Sequence, residues 1–553
     1  MRNNFFKTIL FGFSLLLLTN CSNIIDLPPQ GQKESETFMN TPEGALGTVN
    51  GMYSLLIQSG GPAPDGAWLD SNYNFFMGSI ATDDAEPRPG DNANLIALSS
   101  FVAQSGNGIA NSYWVFSYWG ISRANFVLDH LQEAPIDDAL KNRYKGEALF
   151  IRAYYYNILL QHFGGVPLLS TSLTQDKYGK NLRTSLHETI DFTKKDFKEA
   201  IKLLPESYSA TESGRATKGA AQAFLARLEM YELGVDEQAT SSWKEVFDLT
   251  QSIINSNQYS LVSNYALIFD WKIKNSKESI FEIQTSEGAI QFGKGVVGTD
   301  YANYQGNRNA SGKAMGGWGI HNPTQDLVNA FDPTDPRLSA TIYGIGYNNG
   351  ILYGEVQTYK RSDQGSNYFN RKIALPETPA MPRAVSQNII LMRYADVLLM
   401  HAEAAYNTGN EAEAKQYLNM VRQRARNSTY CKGYVLNDPE GLQVPKTTPN
   451  VPDIAATGKD LLTAIHNERR IEFALEGYHC WDLIRTGQFV DRVSKVKDLD
   501  RIGNKEGNEI RVEGIGANIK NHSINGKGGI LIPVLPIPII EVQNWNLTQN
   551  PNY

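Results

Sequence analysis

From Arg393 to Val421 the chain reads RYADVLLMHAEAAYNTGNEAEAKQYLNMV, and this stretch decides the fold. Small and apolar residues recur at helical spacing on both sides of Gly409, which predicts a helical pair over 389–407 and 411–427. Counting from Gly409, residues Ala414, Leu418 and Val421 follow at steps of five, four and three. Small side chains at such positions let two helices approach closely, as in tetratricopeptide units.

Similar pairs lie upstream. Helical patterns run over 111–133 and 137–162, the second closing at Gly164-Gly165-Val166-Pro167, where Gly terminates and Pro prevents continuation. Others run over 185–204 and 215–233, then 241–256 after the turn at Gly234. Thr41-Pro42-Glu43 opens a further helix through Ile57, with Thr41 as N-cap and Pro42 at the first helical position. These pairs share a layout but no strict period. The fold class is therefore mostly α, an irregular tetratricopeptide-like helical-repeat scaffold with long loop-rich insertions and a few short strands. Helices packed without repeat geometry are the alternative.

Two regions break the helical rhythm. Residues 60–108 fill with Gly, Pro, Asn and Asp, and 258–386 form a loop-rich insertion in which Ser279-Ile280-Phe281-Glu282-Ile283-Gln284 alternates like a short strand. Irregular segments of such length in a compact protein are usually functional.

The 553 residues are 41% hydrophobic and 20% charged, enough to bury a core and unlike a disordered chain. Net charge is −7, and it falls to −9 once the first twenty residues leave with Arg2 and Lys7. An acidic surface gives a phosphate backbone no electrostatic hold, which argues against a nucleic-acid partner. Arg2, Lys7 and the apolar run Ile9 to Leu18 have the anatomy of an export signal over 1–20, too short to remain as a membrane span. Cys21 directly after it resembles a lipobox cysteine, the site of lipidation, and 21–35 with Pro28, Pro29 and Gly31 reads as a tether. Asn20 stands where a smaller residue is usual, so plain secretion is the alternative. Only Cys431 and Cys480 remain to pair, and two unlinked thiols are expected. The apolar run Leu531 to Ile540 is broken by Pro533, Pro536 and Pro538 and should lie extended against the body.

Motifs for chemistry fail on context. Gly288 to Lys294 nearly spells a phosphate loop, but Gly295 stands where a hydroxyl must hold magnesium and no helix follows. No zinc or nucleophile-elbow spacing occurs, so no metal, cofactor or catalytic residue is expected. Asp83-Asp84 is read as a loop or capping pair rather than the two carboxylates of a glycosidase. The run Asn467 to Gly477 is read as a helix end capped by Gly477, its Arg and Glu forming ion pairs along a half-buried element.

Taken in order, Cys21, Thr41-Pro42-Glu43, Arg123-Ala124-Asn125, Arg152-Ala153-Tyr154, Phe163 to Pro167, Gly214 to Lys218, Glu278 to Glu282, Asp335-Pro336-Arg337-Leu338, Arg393 to Leu399, Glu468-Arg469-Arg470 and Arg485-Thr486-Gly487 resemble the SusD/RagB family of outer-membrane nutrient-binding lipoproteins. The resemblance implies an N-terminal region over 36–257 with helical pairs and a C-terminal region over 258–553, together one compact body. It also implies a lipid-anchored protein on the surface of a Gram-negative cell. Such a protein is not an enzyme: it captures oligosaccharide and hands it to a TonB-dependent transporter of the SusC type. Oligopeptide capture is the nearest alternative, and a helical-repeat adaptor for another protein the next.

Saccharide capture has its own physical requirement. Sugar rings present apolar C–H faces and a rim of hydroxyls, so a site needs exposed aromatic platforms beside residues that bond in two directions. The two irregular regions supply both. From the first come Trp68, Asn72, Tyr73, Asn74, Arg88 and Asn92; from the second, Tyr301, Tyr304 and Trp318. Trp68, Tyr73, Tyr304 and Trp318 are the expected platforms, whereas Trp114, Trp243, Trp271 and Trp481 are assigned to the core.

Overall fold

In the computed structural model the long apolar-faced segments stack as helices in chain order. Described are residues 38–57, 74–88, 90–173, 179–180, 182–286, 301–308, 310, 314–344, 350–353, 355–358, 365–376, 387–431, 448–499 and 514–553. The stack comprises α1 (Pro42–Ile57), α2 (Gly108–His130), α3 (Asp138–Phe163), α4 (Leu186–Leu203), α5 (Lys218–Val235), α6 (Trp243–Asn255), α7 (Tyr394–Asn407), α8 (Glu411–Asn427) and α9 (Gly458–Glu472). From α2 to α6 each helix packs on the next, and α7 then lies on α6 and carries α8. The long excursion between Asn255 and Tyr394 thus leaves the stack and returns to it without interrupting it. The scaffold is the expected tetratricopeptide-like helical repeat.

Local chemistry sets the helix ends. Thr41 Oγ1 accepts the Gly44 N–H at 3.0 Å, and reciprocal capping boxes start α4 (Ser185 with Glu188) and α6 (Ser242 with Glu245). Close approach sets the packing. At Gly120 in α2 an added Cβ would lie 2.0 Å from the Tyr155 ring of α3, so the contact admits only glycine. Ala414, Leu418 and Val421 of α8 are all fully buried.

Strands are short and include β1 (Ala85–Glu86), β2 (Ser279–Ile283), β3 (Asn322–Pro323) and β4 (Ile389–Arg393), with β2 antiparallel to β4. Here one expectation is corrected. The helix predicted from residue 389 begins at Tyr394, because Ile389 to Arg393 pairs with β2 instead. A short apolar run satisfies either period, and the open edge of β2 decides the case. The region 60–108 also holds more regular structure than expected, a π-helical turn at Phe76–Ile80 and a helix at Ala93–Ser99. Likewise α9 ends at Glu472, and Gly477, with φ of 86°, closes a separate turn beyond it. Leu531 to Pro538 is extended as expected, but Ile539–Trp545 is helical. Cys431 and Cys480 are buried and unlinked. No described helix is long and apolar enough to cross a membrane. Cys21, the export signal and the tether lie outside the described residues.

The interleaved Arg and Glu motifs form an ionic core. Arg337 is fully buried and donates to Asp335 at 2.7 Å, Glu468 at 2.5 Å and Glu472 at 3.0 Å. Arg393 of β4 reaches Glu278 at 2.9 Å and Glu472 at 2.7 Å. Arg424 of α8 bonds the same two carboxylates. These pairs tie the returning sheet to α8 and α9.

Candidate functional site

The two irregular regions meet. Strands β1 and β3 are antiparallel, with Ala85 opposite Pro323 and Glu86 opposite Asn322. Thr324 Oγ1 donates to the Asp83 carbonyl at 2.6 Å and Thr324 N to the Asp84 carbonyl at 2.9 Å, extending the seam. Behind it, His321 lies between Gln305 Oε1 at 2.6 Å and Ser79 Oγ at 2.9 Å, its ring stacked on Phe75. Burial lowers the His321 pKa to about 3, so the ring is neutral and joins the two regions through hydrogen bonds rather than charge.

Trp318 stands on this base. Its backbone N–H donates to the Asn303 carbonyl at 2.7 Å, and the neighbouring Gly317 and Ile320 backbone N–H groups bond the Asn307 and Tyr304 carbonyls. The backbones come so close that a Cβ on Gly317 would lie 2.4 Å from the Asn303 oxygen. Trp318 is 42% exposed, and its indole meets the Tyr304 ring edge-on, centroids 4.8 Å apart. Tyr304 is itself buried, 5% exposed. It therefore corrects the expectation of a second open platform: Tyr304 is the support under Trp318.

Charged groups sit across the seam. Burial raises the pKa of Asp91, against the Asn92 N–H that it accepts and the nearby Arg88 and Arg308. Arg88 Nε and Asp91 Oδ2 are buried without a hydrogen-bond partner among the described residues, and Arg308 is exposed. Asn92, exposed, caps Ala93–Ser99 by accepting the Asn94 N–H at 2.8 Å. Asn74 points the other way. It is half-buried and hydrogen-bonds the Tyr154 phenol, so it anchors the base of the segment. Tyr301 is likewise drawn inward, edge-on to Phe75 and walling a cleft on the far side of its loop. Trp68, Asn72 and Tyr73 lie outside the described residues.

Asp83 and Asp84 lie in a bend, as the loop reading expects, but they are fully buried and partner cations. Asp83 meets His479 Nε2 at 2.8 Å and Arg492 Nη2 at 2.6 Å, and Asp84 meets Arg470 Nε at 2.9 Å. Burial opposes ionisation of Asp83, but His479 and Arg470 hold its carboxyl far below the usual range. It has no proton to give at neutral pH. The same two aspartates and His479 are close enough to share a metal ion, yet the guanidinium groups already occupy the place of the cation.

Trp114 and Trp481 are buried, and Trp243 and Trp271 are half-buried and pack against core clusters as assigned; Trp271 also lines the cleft that Tyr301 walls.

Residues 277–553 match the SusD family, and residues 72–230 match a family described as starch-binding associating with outer membrane. SusD-like protein P38 of Formosa agariphila is 27% identical, over 90% of this chain and 94% of that one. A laminarin binding SusD-like protein of known structure aligns with a TM-score of 0.70 at 24% identity, covering 93% of this chain and 100% of the other. Surface glycan-binding protein A from Bacteroides thetaiotaomicron, in complex with laminarihexaose, aligns with a TM-score of 0.69 at 22% identity, covering 93% and 100%.

Proposed function

Because the chain belongs to the SusD family, we propose that it is a cell-surface lipoprotein that binds oligosaccharide at the Trp318 platform and passes it to a SusC-like TonB-dependent transporter in the outer membrane. The observation that carries the reading is the exposed indole of Trp318, held rigid by backbone bonds to 303–307 and by the buried Tyr304 beneath it. A preset aromatic face loses little entropy when a sugar ring stacks on it. Arg88, Asp91, Asn92 and Arg308 supply donors and acceptors for hydroxyls at its side. Trp68, Asn72 and Tyr73 belong to the same proposed site by their place in the chain. The names of the relatives, which include laminarin and laminarihexaose binders and a starch-binding family, support a glycan as cargo.

Binding occurs without bond chemistry. The obvious carboxylate pair, Asp83 and Asp84, spends its charge on Arg470, Arg492 and His479. Anchoring is through Cys21, outward from the cell.

Calorimetry across a carbohydrate panel that includes laminari-oligosaccharides tests the reading. Binding of at least one series is expected, with Trp318→Ala weakening it about tenfold or more and no new reducing ends appearing. Binding of oligopeptides alone, or release of reducing ends, overturns it. Cys21→Ala should move the chain out of the membrane fraction, and co-purification with a TonB-dependent transporter checks the delivery step.

A further inference from the structure

Most described arginines are engaged. Arg152 donates to Asp196 at 2.7 Å, Arg215 to Glu147 at 2.9 Å and Arg426 to Asp453 at 3.0 Å. Even Arg123, with no carboxylate in contact, donates to the Gly51 carbonyl at 2.7 Å. Among the described residues only Arg88, Arg308 and Arg371 form no side-chain hydrogen bond or ion pair. Arg371 lies beside the Tyr343 and Tyr353 phenols. The other two flank the platform.

Arg308 directly follows Asn307, whose carbonyl accepts the backbone N–H of Gly317 at 2.9 Å, so it starts from the strand of backbone laid against that of Trp318. Arg88 stands two residues beyond Glu86, which pairs with Asn322 across the seam. Both guanidinium groups act electrostatically on Asp91, which brings them to one place. Asp91 closes neither. One of its oxygens accepts the Asn92 N–H at 2.7 Å, and Oδ2 is buried without a partner among the described residues. Arg88 Nε is buried and unbonded as well, a donor whose lost hydration nothing in the fold replaces. Two cations beside one carboxylate leave an excess of positive charge here, on a chain whose net charge is −7.

We propose that Arg88 and Arg308 read an acidic group on the glycan, the carboxylate of a uronic acid or a sulfate ester, while a ring of the same chain stacks on Trp318. The proposal rests on the glycan-binding reading above. A sugar hydroxyl satisfies a guanidinium one bond at a time, whereas a carboxylate or sulfate accepts two parallel N–H bonds and brings the opposing charge. Asp91 is the counterweight: it balances the empty site in part and repels the same acid.

The test is calorimetry of the full chain, at low and high salt, with oligogalacturonates, oligoglucuronates and sulfated galacto-oligosaccharides. Each is measured beside its methyl-esterified or desulfated counterpart, with laminari-oligosaccharides as a further neutral series. At least one acidic series is expected to bind about tenfold or more tighter than its neutral counterpart, and added salt should shrink that ratio. Loss of the preference on esterification identifies a carboxylate, and loss on desulfation a sulfate. Arg308→Gln, at an exposed position, and Arg88→Gln should each bring the ratio toward one. Arg308→Lys should retain part of it, and Asp91→Asn should raise it. A ratio near one for every pair, or a ratio that both glutamine variants leave at the wild-type value, overturns the acidic class. Neutral oligosaccharides that still bind and still require Trp318 then spare the glycan reading. Absence of binding by acidic and neutral series alike overturns both.

Discussion

Asp83 and Asp91 lie eight residues apart on one segment, each beside arginines, and the protein uses them in opposite ways. Around Asp83, His479, Arg470 and Arg492 arrive from the C-terminal part of the chain, and both its carboxylate oxygens are paired. Around Asp91, Arg88 and Arg308 stand near the surface with groups left unmatched. The ionic core and the aromatic platform draw on the same residue types. What separates them is whether partners surround the group on all sides. A buried charge is tolerable only when paired, so the inner half of the segment is locked as scaffold. The outer half keeps Arg88 Nε and Asp91 Oδ2 unpaired among the described residues.

Substitutions should break this contrast to different degrees. The largest effect is expected at Arg393→Ala, which leaves Glu278 and Glu472 buried with one cation fewer. A loss of about 3–5 kcal/mol should appear in chemical denaturation, and stability within about 1 kcal/mol of wild type would show the ionic core to be dispensable.

Glu229 sharpens the comparison, being a buried acid in α5 without full compensation. Burial raises its pKa to about 7, and both its carboxylate oxygens lack a hydrogen-bond partner among the described residues although Lys198 Nζ lies 3.5 Å away. A carboxyl whose pKa is raised on folding binds its proton more tightly in the native state. Its contribution is therefore most favourable below the unfolded value near 4.5 and is lost as pH rises toward 7. Glu229→Gln should accordingly stabilise the protein by about 1–3 kcal/mol at pH 8 and have little effect at pH 4. Thermal unfolding at the two pH values measures it, and an equal shift at both would remove titration as the cause.

At the platform the order of effects reverses. Trp318→Ala should cost about 1.4 kcal/mol or more of glycan affinity, a tenfold loss, while unfolding moves by only about 0.5 kcal/mol, as for other exposed sites. Asp91→Asn should be smallest in stability, within about 0.5 kcal/mol, with a detectable change in ligand enthalpy. A platform variant that unfolds the protein, or an ionic-core variant that only weakens binding, would erase the distinction between the two regions.

Much of the scaffold was legible. The helices between residues 108 and 255 lie within a few residues of their expected bounds because caps such as Ser185 and terminators such as Gly164 act locally. The strand at Ile389 to Arg393 was misread as helix because its edge partner, Ser279 to Ile283, lies more than a hundred residues away. For the proposed site, composition singled out both loops, and the structure leaves Trp318 exposed. Composition gave no means of telling Trp318 from Tyr304, since both are large aromatics in polar surroundings.

Helical periodicity, capping chemistry, acidic surface charge and an ordered set of family motifs were fixed along the chain itself, because each depends on residues near one another in sequence. The tertiary structure alone decided that β1 meets β3, that Gly317 lets Trp318 lie on Tyr304, and that Asp83 is locked while Asp91 is not. Those outcomes depend on which distant groups reach the same few ångströms, and exposure and pairing are properties of that space rather than of the order of residues.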